Sequence, residues 1–205
     1  MIPLILTCAL FLSVPSVWAQ TAKDYNEQGK ALLKQNNTAA AIAEFTKAIA
    51  IDHNNAQGYT NRALAQAKLG NLAEAISDTT QAIEIDPKDA VAYYLRGTIY
   101  YEQHIFIEAI SDFSQDIAID PKVAKGYMSR ALTYLRVNDS NEAVSDLTRV
   151  LEINPDYIRA YFNRAVGYYQ LKQYDKAWAD VHKARSLGLT VNPDFIAELK
   201  NVSGQ

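Results

Sequence analysis

Residues recur along this chain at a fixed interval of 34: Tyr59, Tyr93, Tyr127 and Tyr161 share it, as do Arg62, Arg96, Arg130 and Arg164, and Ala41, Ala75, Ala109, Ala143 and Ala177. Such regularity is the mark of an array whose units contact only their neighbours. Within residues 56–89, Tyr59, Ala63, Ala67 and Leu69 form one apolar stripe, Gly70-Asn71 interrupts it, and Leu72, Ala75, Ile76, Ala82, Ile83 and Ile85 resume it. The spacing is helical in both halves. Gly70 and Asn71 both tolerate left-handed backbone angles and suit a turn between helices. Asp86-Pro87 then stops the second helix, because proline lacks the N–H to continue it and disfavours helix at the residue before. Each unit is therefore predicted to be a helical hairpin.

The same frame divides the chain into 22–55, 56–89, 90–123, 124–157 and 158–191, with 192–205 left as a cap and tail. Asn192-Pro193-Asp194 offers an N-cap followed by proline at the first helical position, and Phe195, Ile196 and Leu199 supply one apolar face. These residues predict a short capping helix over 193–202. Small residues recur where the two helices of a unit must approach: Ala63, Gly97, Ala131 and Ala165 in the first, and Ala75, Ala109, Ala143 and Ala177 in the second. The expected fold is all-α, a right-handed solenoid of five hairpins plus a cap.

With 205 residues and 49% hydrophobic content, the chain can bury a sizeable core. Its net charge of -3 comes from intermixed acids and bases, without the basic stripe that a nucleic-acid partner requires. Residues 1–19 carry no charge and end in Val17-Trp18-Ala19. They read as a secretory signal cleaved near Ala19, which implies a periplasmic or secreted mature chain. The missing positive n-region fits an alternative, an uncleaved N-terminal membrane anchor. Cys8 is the only cysteine and falls inside this segment, leaving no disulfide framework and no cysteine metal site in the mature chain.

These positions resemble the tetratricopeptide repeat family, whose pattern runs aromatic, small, aromatic in the first helix and alanine, aromatic or aliphatic, alanine, proline in the second. The third unit matches it as Tyr93, Gly97, Tyr100, Ala109, Phe113 and Pro121, whereas Asp116 and Thr79 depart from it. The resemblance implies that first helices line a concave face and that positions 2, 5, 6, 9 and 12 of each unit point into it. Among those positions are Asn61, Leu64, Tyr94, Leu95, Met128, Leu132, Phe162, Asn163, Val166 and Tyr169. They form the expected groove for a peptide or amphipathic helix, unless these side chains instead pack between first helices or against a terminal segment. The lysine and asparagine set with which some family members clamp a chaperone tail's carboxylate is missing, since Val91 and Leu95 replace two basic residues.

A second periodic feature is charged. Arg62, Arg96, Arg130 and Arg164 are each followed 16 residues later by an acid, at Asp78, Asp112, Asp146 and Asp180. Matched acids point to a structural ladder of ion pairs, within or between hairpins, rather than a row of free arginines for an acidic ligand. Asp116, where other units hold alanine, calls for a partner, with Arg130 or Arg149 expected, or else for water.

His53, His104 and His182 fall in different units, and no phosphate loop or metal-ligand spacing occurs. The expectation is a binding scaffold for a protein or peptide, with no catalysis, cofactor or metal and with self-association open. A structural or assembly subunit of an envelope or secretion complex is the alternative.

Overall fold

The computed structural model describes residues 20–204, and the expected signal segment and Cys8 lie outside them. Five helical hairpins follow one another: α1 (Ala22–Lys34) with α2 (Thr38–Ile51), α3 (Ala56–Lys68) with α4 (Leu72–Ile85), α5 (Ala90–Glu102) with α6 (Phe106–Ile119), α7 (Ala124–Arg136) with α8 (Ser140–Ile153), and α9 (Ile158–Gln170) with α10 (Tyr174–Ser186). A final helix, α11 (Pro193–Ser203), packs on α10. Each second helix packs on the first helix of the next hairpin, and successive first helices also approach one another. The first helices thus line the inner face of an α-solenoid.

The turn inside every hairpin is the same. One residue adopts left-handed angles, at Asn36 (φ 59°), Gly70 (80°), His104 (61°), Asn138 (61°) and Lys172 (57°). The next N–H then reaches back to the third-last carbonyl of the first helix, as from Asn71 to Gln66 (3.0 Å) and Ile105 to Tyr100 (2.8 Å). Only Gly70 of the Gly70-Asn71 pair is left-handed, because Asn71 (φ -79°) is already the N-cap of α4. Between hairpins, the residue before each proline ends the helix in an extended or nearly extended conformation and caps the turn with its side chain. Asp86 accepts from the Lys88 N–H (3.0 Å) and Asn154 from the Asp156 N–H (3.0 Å).

Inside each hairpin the facing residues are matched in size. Gly29 meets Phe45 and Gly97 meets Phe113, whereas in the other hairpins Ala63, Ala131 and Ala165 stand 16 residues before the smaller Thr79, Leu147 and Val181. A Cβ on Gly97 would lie 2.9 Å from the Phe113 ring, and one on Gly29 would lie closer still to Phe45. The family departure at Thr79 is thus balanced by an alanine rather than a glycine opposite. Thr79 itself is fully buried and bonds its hydroxyl to the Ala75 carbonyl (2.9 Å).

The arginines and acids that share the period form bidentate pairs within their own hairpins. Arg96 Nε and Nη2 donate to Asp112 Oδ2 and Oδ1 (2.8 Å each), and Arg62–Asp78, Arg130–Asp146 and Arg164–Asp180 repeat that geometry. The remaining Nη1 of each arginine crosses to the preceding hairpin and donates to a hydroxyl, on Thr46, Thr80, Ser114 and Thr148 in turn (2.9–3.2 Å). Each guanidinium also lies over the tyrosine three residues earlier, at 5.6–6.0 Å. The ladder therefore acts both within and between hairpins. The first unit differs, with Gln28 and Glu44 in the two places and Glu44 paired to Lys47 instead (2.8 Å).

Two substitutions test this packing. Gly97→Ala is expected to cost about 1–3 kcal/mol, and adding Phe113→Leu, which copies the Ala131/Leu147 pairing, should recover most of it in a denaturant melt. Asp112→Asn leaves the half-buried Arg96 without its counter-charge and should lower Tm by about 4–8 °C, corresponding to about 2 kcal/mol. An unchanged melt for Asp112→Asn would mean that the pair contributes nothing to stability.

Candidate functional site

The inner face is built from the exposed sides of α3, α5, α7 and α9. Leu64 and Val91 are exposed on it, at 39% and 62%. Asn61, Leu95, Leu132, Asn163 and Val166 are half-buried along the same helices. Between α5 and α7 the surface dips into a hollow of about 60 Å³, walled by Tyr94, Tyr101, Phe113 and Leu132. Near α3, Asn61 lines a wider depression of about 410 Å³ together with Gln57, Lys88 and Val91. Asn61 Nδ2 is buried there, and among the described residues no acceptor lies within hydrogen-bonding distance.

Several residues expected in the groove are turned elsewhere. Met128 is only 7% exposed and belongs to a core cluster with Ala131, Leu147 and Ala160. Phe162 and Tyr169 are covered by α11, whose Phe195 ring packs edge-on against both, at 5.5 Å and 5.6 Å between centroids. Tyr169 Oη also donates to Glu198 Oε1 (2.5 Å). The chain's own last helix thus occupies the final stretch of the inner face.

For Met128 and Phe162, though not for Tyr169 at the twelfth position of its unit, the cause is one register. The fifth residue of each unit points along the stack toward the next first helix, not outward. Asn26 and Thr60 are buried like Met128, and Thr60 Oγ1 donates to Asp89 Oδ2 across the seam (2.6 Å). Tyr94 follows the rule in part, with its hydroxyl bonded to Ser129 of the next unit (3.0 Å) and its ring tilted against Phe113 at 5.6 Å. Counting positions on one isolated helix cannot reveal this, because the neighbouring helix decides which side is covered.

Comparison with known proteins bears on this arrangement. One family model, described as TPR repeat, matches residues 29–70, and three described as tetratricopeptide repeat match 56–89, 79–111 and 128–185. Together they span more than half of the sequence. The chain is a tetratricopeptide-repeat protein. No curated protein sequence matches it significantly. Among solved structures, the tetratricopeptide array is similar to PilF of Pseudomonas aeruginosa, at TM-score 0.75 and 19% identity over 89% of this chain and 84% of that one. It is also similar to a MamA fragment of Desulfovibrio magneticus RS-1, at TM-score 0.75 and 16% identity over 81% and 94%. YrrB, a TPR protein with an unusual peptide-binding site, aligns at TM-score 0.73 and 19% identity over 82% and 86%. These likenesses establish the shared fold.

Asp116 sits at the edge of the tetratricopeptide groove, and neither expected arginine reaches it. Arg130 is spent on Asp146 and Ser114, and Arg149 pairs with Glu152 (2.8 Å). All three nitrogens of Arg130 are engaged, two within its own hairpin and one on Ser114, whereas Asp116 faces the first turn of α7. Its carboxylate fits because Gly126 stands opposite, and a Cβ there would overlap Asp116 Oδ2. Burial pushes the carboxyl up to about 6, offset in part by Lys125 and reinforced by Asp120. Three other units hold alanine at this place, at 48, 82 and 184.

Because the folded-state value lies above the unfolded one, ionised Asp116 opposes folding. The stability it lends below about pH 4 is lost as pH rises to about 6. Asp116→Ala should therefore raise Tm by about 2–4 °C at pH 8 and change it little at pH 4. An equal gain at both values would show that ionisation is not the cause.

Proposed function

We propose that this chain is a non-catalytic scaffold that binds an extended peptide or a helix of a partner protein along the inner face of its first helices. The observation that carries the reading is the pair of exposed aliphatic groups on consecutive first helices, Leu64 and Val91, continued by the partly buried Leu95 and Leu132. Aligned apolar groups gain free energy when covered. The likeness to YrrB, whose description names a peptide-binding site, supports it at the level of the fold. We place the protein in an exported compartment on the strength of the uncharged apolar residues 1–19, with an anchored form as the alternative.

A second reading, a structural subunit held permanently in an assembly, draws on the hairpin turns. Leu69, Ile105, Ile107 and Val137 are exposed there on three consecutive units, Ile107 at 80%.

The test is selection of displayed peptides on the full chain, followed by anisotropy titration of the tightest. A Leu64→Ser, Val91→Ser variant should bind the selected peptide at least about tenfold more weakly, with Tm little changed because both groups are already exposed. Undiminished binding would move the site off the inner face. A sedimentation profile showing stable self-association at the turns would favour the structural reading.

A further inference from the structure

Charge and shape set one seam apart from the others. Between the third and fourth hairpins a cleft of about 210 Å³ opens among Val91, Tyr94, Asp116, Asp120, Val123 and Lys125. Its walls are aliphatic and exposed, Val91 at 62% and Val123 at 45%, and its deeper side carries the Asp116 carboxylate lodged against Gly126. The corresponding seams lack this combination. The equivalents of Val91 are Gln57, Lys125 and Arg159, those of Val123 are Asn55, Asp89 and Tyr157, and those of Asp116 are alanine or valine.

The cleft holds two carboxylates and one ammonium. Lys125 Nζ rests over the Tyr94 ring, 3.6 Å from its centroid. Among the described residues, no base forms an ion pair within 4.0 Å of either Asp116 or Asp120. The site thus keeps one unmatched negative charge behind aliphatic walls. A long cationic side chain has the complementary form, with an apolar stem for Val91 and Val123 and a charged head for the acids. A poorly solvated carboxylate gains more from such a partner than a fully wet one does.

We propose that this cleft is a specificity pocket for a lysine or arginine side chain of the peptide bound on the inner face. The proposal rests on the peptide-binding reading above and adds the chemistry of the residue recognised.

The experiment is a positional-scanning library of 12-residue peptides, with one position fixed at a time, presented to the full chain and to three variants. The native chain should prefer lysine or arginine over glutamine and glutamate at one position by about tenfold, the gain expected for a charge-assisted contact. Asp116→Asn should remove most of that preference while peptides without a basic residue bind as before. Asp116→Lys should invert it toward acidic residues, and Lys125→Ala, which removes the competing cation, should strengthen it. Peptides bound without any basic preference, or a preference intact in Asp116→Asn, would overturn the pocket and leave the peptide-binding reading standing. Failure of the native chain to bind any peptide would overturn both. Since alanine occupies this place in three other units, an Asp116→Ala control keeps the comparison valid should the asparagine variant fold poorly.

Discussion

The guanidinium of each periodic arginine is the interaction on which the stacking depends. It makes two bonds to the acid of its own hairpin and a third to a hydroxyl of the hairpin before, so one rigid plane sets the angle within a unit and the step between units. The acid is nearly buried, with Asp112 at 6% side-chain exposure against 17% for Arg96, which keeps water from competing for the fork. Such a pair costs desolvation, and its use lies in geometry more than in net stability. Repeated four times, it carries one register from α3 to α10.

Size matching does for the core what the ladder does for the polar surface. Gly29 and Gly97 face phenylalanines, while alanines stand opposite smaller side chains, so the hairpins fill the same place in their cores with different residues. Asp116 and Gly126 apply the same compensation across a seam, with glycine making room for a carboxylate instead of a ring. The difference is that a ring is content to be dry and a carboxylate is not. That leaves the seam between the third and fourth hairpins electrostatically unfinished.

The groove follows from the same stacking. Residues that look outward on a single first helix are partly consumed by the next one, as Thr60, Tyr94 and Met128 show, and α11 covers Phe162 and Tyr169. What stays open is a shorter aliphatic track on α3, α5 and α7. Its polar feature, the Asp116 cleft, is a place where a repeat-specific residue meets no partner of its own.

Periodicity alone determined the hairpins, their turns and the pairing of arginine with acid, because each depends on residues at a fixed offset in sequence. Leu64 and Leu132 were legible as inner-face residues for the same reason, since the helix that carries them also sets their direction. The tertiary structure decided the rest. Whether Met128 is dry, whether Arg130 or Lys125 stands nearest Asp116, and whether Phe195 covers the end of the groove all depend on distances between helices whose contacting residues share no common interval. Burial and charge are properties of neighbours in space, and only the packed array establishes who those neighbours are.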